Sequence, residues 1–148
     1  MKNRKNLLAV GAVVLVAALM LGAEAVQMGT AFCVASEAIT HENYKARIIK
    51  AKDIDSEVTG MSHGHPIRSL RNNMTKEYTR LEREGASLEE LELLTLGSLR
   101  KAVMEGDVVN GTVMAGQIAG LIKEERTCAQ IITGMVEECC RLLGREMF

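Results

Sequence analysis

The sequence has 148 residues, enough for one ordinary domain and short for two. Its 18 Lys and Arg against 19 Asp and Glu leave a net charge of -1, which excludes a bulk electrostatic draw toward nucleic acid or an anionic membrane. With no Trp, two Tyr, two Phe and nine Met, any core must be built from Leu, Ile, Val, Met and Ala, a composition that suits helices better than a β-sandwich.

The chain opens MKNRKNLLAVGAVVLVAALMLGAEAVQMGT. Lys2, Arg4 and Lys5, the apolar run over residues 7–21 and the triplet Ala23-Glu24-Ala25 have the profile of a secretory signal peptide, and the run is short for a membrane span. The same stretch reads physically as a helix end, a strand and a turn. Gly22 caps a helix, residues 25–28 form a fully buried parallel strand, and Gly29 with Thr30 leaves two backbone N–H groups and a hydroxyl at its carboxyl end. That is a phosphate site in outline, because barrel enzymes bind ligands at the C-terminal ends of their strands.

ENYKARIIKAK, residues 42–52, predicts an amphipathic helix with Tyr44, Ile48 and Ile49 inward and its lysines and Arg47 around the rest. VTGMSHGHP reads as a loop, after which Pro66 starts a helix through IRSLRNNMTKEYTRLERE that Gly85 closes. Ser87 and Glu90 make a capping box for one helix running through LEELELLTLGSLRKAVMEG to Gly106. GDVVNGTVMAGQIAG gives a polar turn leading into a small-residue helix start, and a last amphipathic helix covers residues 127–143.

Several residue types invite chemistry that their setting does not support. Cys33, Cys128, Cys139 and Cys140 fit no zinc spacing and read as free thiols. His63-Gly64-His65 lacks a nearby carboxylate, so a loop role outweighs a metal site, and no metal is expected. Met20, Met28, Met104 and Met114 read as core filling. Lys76, Arg80 and Glu84 at spacings of four are ordinary solvated-face pairs.

Four stretches in order, LMLGAEAVQMGTAF, HENYKARIIKAKDID, GHPIRSLRNNMTKEY and GSLRKAVMEGDVVNGTVMAGQIAGL, resemble the FMN-dependent barrel family of bacterial enoyl-ACP reductase II and the nitronate monooxygenases, and most of all the reductase branch. The resemblance implies the C-terminal fragment of a TIM (β/α)8 barrel, α/β in class but mostly helical as it stands. Residues 1–34 would then be the last barrel helix and strand, 35–105 a helical excursion, and 106–148 a Gly-rich return loop with the terminal helices. Gln27, Met28, Gly29 and Thr30 match residues that hold the FMN phosphate, and Gly116 and Gln117 lie where the chain returns toward flavin or substrate.

The resemblance implies NAD(P)H as co-substrate and an acyl carrier protein thioester as partner in fatty-acid synthesis, with Arg68, Arg71 and Lys76 as a docking patch. No catalytic residue is carried over, since the family's Gly-Gly-His stretch has no counterpart here, and LLAVGAVVL stands where its other phosphate loop belongs. Ala31 replaces an expected Arg, and Met61 and His63 replace Arg and Thr, while Gly64-His65-Pro66 and Arg68 are retained. The expected protein is cytoplasmic, without nucleic-acid or membrane partner, inactive alone and prone to self-association. The alternatives are a nitronate monooxygenase of the same family, or a small exported or membrane-tethered helical protein.

Overall fold

The computed structural model describes residues 17, 18 and 20–144. Much of the signal-like opening, with LLAVGAVVL, therefore lies outside the described residues. Gly22 closes a helix end as expected: its φ is 93°, and the Ala23 N–H donates to the Ala18 carbonyl at 2.9 Å. Residues 25–28 differ from the sequence reading. They form no strand, and Val26 is 45% exposed, because no strand lies beside them among the described residues and a parallel strand exists only through its neighbours.

The ordered elements are α1 (Thr30–Cys33), α2 (Glu42–Ile49), β1 (Ser56–Thr59), β2 (Ile67–Leu70), α3 (Asn73–Arg83), α4 (Leu88–Thr95), α5 (Ser98–Met104), a 3-10 turn (Gln117–Leu121) and α6 (Cys128–Leu143). Helix α2 starts at His41, whose Nδ1 accepts the Asn43 N–H at 3.1 Å, and it buries Tyr44 and Ile48 as its period predicts. Lys45 is only 3% exposed, unlike the solvated lysine its position suggests. Its ammonium reaches Glu125 at 3.3 Å and Glu42 at 3.8 Å, the countercharges that make such burial tolerable.

Pro66 opens a strand and not a helix. β2 pairs antiparallel with β1, from Ser56 opposite Leu70 to Thr59 opposite Ile67. On its other edge the Leu70 N–H donates to the Val113 carbonyl at 2.8 Å and the Ala115 N–H to the Arg68 carbonyl at 3.3 Å. Residues 113–115 thus run alongside β2, and this pairing overrides the helical pattern of IRSL. At the hairpin, Gly60 sits at φ 78° with the His65 carbonyl against the space a Cβ would take, so only glycine fits.

Helix α3 begins at Asn72, whose Oδ1 accepts the Thr75 N–H at 3.1 Å in a capping box. The same side chain donates to the carbonyls of Val108 at 2.9 Å and Gly111 at 2.7 Å, tying the start of α3 to the Gly-rich return loop. Ser87 with Glu90, and Thr127 with Gln130, cap α4 and α6 as their spacing predicts. The long helix expected over residues 88–105 is two, broken at Gly97 with φ 74°. The break turns Ser98 inward, where its hydroxyl meets the Thr112 hydroxyl at 2.6 Å in a buried pair.

One core gathers Val34, Tyr44, Ile48, Leu70, Ala102 and Val113, and a smaller one under α3 and α4 gathers Met74, Tyr78 and Leu91. The methionines expected to fill it do not: Met20, Met104 and Met114 are exposed and Met28 is half-buried. All four cysteines are free, as expected. Among the described residues no helix is long and apolar enough to cross a membrane.

Removing the Asn72 side chain loses a helix cap and orphans two loop carbonyls, costs of about 1 kcal/mol and about 1–3 kcal/mol respectively. Asn72→Ala should therefore lower stability by roughly 2–3 kcal/mol, read as a fall in urea midpoint at unchanged slope.

Candidate functional site

Two of the residues singled out for phosphate and flavin contact, 86 positions apart, meet directly. The Gly116 N–H donates to the Thr30 hydroxyl oxygen at 2.9 Å. Thr30 is held there because the chain just after α1 is locked: Val34 and Ala35 are buried, the Thr40 hydroxyl donates to the Cys33 carbonyl at 2.6 Å, and the Ser36 N–H to the Arg126 carbonyl at 2.9 Å. Gly116 is held from the other side, since it follows the stretch paired with β2 and leads into the 3-10 turn, with the Ala119 N–H on its carbonyl at 3.1 Å.

The surroundings of this junction are open. A Cβ added at Gly29 would meet nothing within 4 Å, and no side chain caps the first turn of α1. A Cβ at Gly116 would only touch the Thr30 oxygen at 3.4 Å. Gln27 and Gln117 are exposed, and their amides find no partner among the described residues. The Thr30 oxygen accepts from Gly116, which leaves its own proton to donate outward.

Sequence reasoning missed Tyr44. Its hydroxyl donates to the Met114 carbonyl at 2.8 Å, fixing the strand that delivers Gly116, and burial pushes its pKa up to about 12. The signal was available: a tyrosine on the buried face of α2 must find an acceptor for its hydroxyl. Asn72 was likewise hidden among ordinary loop residues, though an Asn before a helix pattern is a cap candidate.

The remaining candidates lie elsewhere. Ser62 donates to Glu82 at 2.6 Å and lies 2.9 Å from His63 Nδ1, so the histidine-bearing hairpin loop is latched to α3, and the Ser62 hydrogen bond holds the Glu82 carboxyl below its ordinary range. No group of residues suited to a metal ion occurs among the described residues. The basic patch is divided: Arg68 donates to the Ser56 hydroxyl at 3.1 Å, while Arg71 and Lys76 line a surface groove of about 450 Å³ with Glu57, Thr79, Arg80, Arg83 and Glu84.

Comparison with known proteins gives consistent relatives. A profile of the nitronate monooxygenase family matches residues 12–138. A probable nitronate monooxygenase of Bacillus subtilis (strain 168) is 28% identical over 122 residues, covering 82% of this chain and 35% of that protein. One from Staphylococcus saprophyticus is 29% identical over 131 residues, 88% of this chain and 37% of the relative. The solved structure of FabK from Thermotoga maritima matches with a TM-score of 0.82 at 42% identity, over 88% of this chain and 41% of that one. Nitroalkane oxidase from Streptomyces ansochromogenes shares the fold, with a TM-score of 0.66 at 24% identity, over 90% of this chain and 38% of its own. The chain thus spans between 35% and 41% of the length of these relatives and has the fold of part of a TIM barrel.

Thr30→Val removes the acceptor of the Gly116 N–H, whereas Thr30→Ser keeps it. Amide exchange at Gly116 should quicken in the valine variant alone, with a stability loss of about 1 kcal/mol. The folded chain keeps Tyr44 protonated up to about pH 12, whereas an unfolded tyrosine ionises near 10. This group's stabilising contribution is therefore full below about pH 10 and is lost as the pH rises through 12, on the order of 2–3 kcal/mol in all. Tyr44→Phe should flatten that alkaline limb in denaturation curves taken across the interval.

Proposed function

The chain belongs to the nitronate monooxygenase family, and on that premise we propose that it supplies one side of the FMN site of a barrel oxidoreductase. The observation that carries this reading is the hydrogen bond from the Gly116 N–H to Thr30, which joins the two segments expected to face the flavin. The residues suit a phosphate. Gly29 leaves open space, the first turn of α1 lacks a side-chain cap, and the Thr30 proton points to no acceptor among the described residues.

In this reading Gln27, Met28, Gly29 and Thr30 hold the phosphate, and Gly116 with Gln117 borders the flavin or substrate. Bound FMN supplies the hydride chemistry, taking a hydride from NAD(P)H and passing it on. What these residues contribute is orientation: backbone N–H groups and a hydroxyl that fix the anionic end, so that the reactive ring is presented at one depth. Residues 1–34 would be the last barrel helix and strand, residues 25–28 pairing only when neighbouring strands stand beside them. Residues 35–105 would be the helical excursion and 106–148 the return.

For the substrate we favour enoyl-ACP reduction, with an acyl carrier protein thioester as partner, because the likeness to FabK is both the higher in identity and extends over 88% of the chain. The second reading, oxidation of a nitronate, is favoured by the names of the curated relatives.

A chimera separates the two. The segment of Thermotoga maritima FabK that matches this chain is replaced by it, and the product is purified. A yellow protein that consumes NADH with an enoyl thioester supports the reductase, one that consumes oxygen with a nitronate supports the monooxygenase, and a colourless protein sinks the flavin reading. In a yellow chimera Thr30→Val should weaken FMN binding about tenfold, and flavin fluorescence titration reads it.

A further inference from the structure

The groove along α3 takes no part in the flavin reading. Its lining carries Arg71, Lys76, Arg80 and Arg83 against Glu57 and Glu84. Some of these cations are already committed. The Arg80 guanidinium is forked between Glu77 at 2.7 Å and Glu84 at 2.6 Å, and Arg71 Nε donates to Glu57 at 3.2 Å. Lys76 and Arg83 are exposed and have no carboxylate partner among the described residues. The uncommitted charge of the groove is therefore positive, on a chain whose net charge is -1.

The spacing of that charge selects its occupant. Lys76 and Arg83 lie two turns apart on one face of α3, a rise of roughly 10 Å. That exceeds the reach of one phosphate group and equals the spacing of two carboxylates two turns apart on another helix. The groove also lies close to the Thr30–Gly116 junction. Arg71 follows β2 at one end, and Gly116 follows the antiparallel stretch at the other, a separation of about 14 Å at strand rise. A substrate carried on a flexible tether by a protein held in the groove has that distance to cross.

We propose that the groove docks an acidic helix, with carboxylates two turns apart, of the small acidic protein that delivers the tethered substrate. The identity of that protein rests on the reductase reading above. Lys76 and Arg83 make the contacts, and Arg71 with Arg80, held by their own carboxylates, form the walls. Charge complementarity of this kind sets encounter rate and orientation, so binding is modest in strength and sensitive to salt.

The test uses the full chain and a fluorescently labelled acyl carrier protein, followed by anisotropy. Saturable binding that weakens with added salt is expected. The double reversal K76E/R83E should weaken it about tenfold or more, whereas K50E/R100E, the same charge change on exposed sites elsewhere, should leave it within about twofold. Circular dichroism checks that both variants keep the helix content of the parent. Absence of saturable binding, equal weakening by the two double variants, or displacement by inorganic phosphate as readily as by unlabelled carrier protein would each overturn the proposal. The chimera keeps the two readings apart: a yellow chimera beside a chain that binds no carrier protein ends the docking proposal alone, and a colourless one ends the flavin reading.

Discussion

The arrangement depends on the alignment of residues 113–115 along β2. The hydrogen bonds from Leu70 to Val113 and from Ala115 to Arg68 are individually worth only about 1 kcal/mol, so their importance is geometric. They fix the register of a loop that would otherwise be free to slide, and register decides which way every side chain and amide faces. With Val113 pinned, its side chain enters the core beside Leu70 and Tyr44, and the Gly116 N–H emerges at Thr30.

Three side chains reinforce that register from outside the sheet. Tyr44 holds the Met114 carbonyl from α2, Ser98 meets Thr112 from α5, and Asn72 draws in the carbonyls of Val108 and Gly111 from the start of α3. The return loop is thereby tied to three helices within a few residues. Gly111 shows how closely: a Cβ there would lie 2.6 Å from the Ala102 nitrogen and 2.8 Å from the Ser98 carbonyl oxygen. The glycines of this stretch serve close backbone approach more than chain flexibility.

Charge is used differently in the two halves of the surface. Lys45 is buried and needs Glu125 and Glu42, so it couples α2 to the segment before α6. Glu37 accepts the Cys128 N–H through both oxygens at 3.0 Å, which keeps its carboxyl below the ordinary range and anchors the start of α6. On α3 the pairs are exposed, and what matters is the charge left over once they are counted.

Local signals in the sequence determined the parts that depend on near neighbours. The boxes at Ser87 and Thr127, the stops at Gly85 and Gly106, the inward face of α2 and the Gly-Thr turn need only a few adjacent residues, and their chemistry is written in residue type and spacing. The family resemblance likewise lay in contiguous stretches. Tertiary structure alone decided the rest. IRSL became a strand because Val113, more than forty positions away, offered a ladder, and AVQM stayed without one because no strand stands beside it among the described residues. Lys45 went inside because Glu125 met it there, and Thr30 found Gly116 because the core between them closed. A cap is satisfied within one turn of chain, whereas a ladder, a buried charge or a two-segment site is satisfied only by what folding brings from afar.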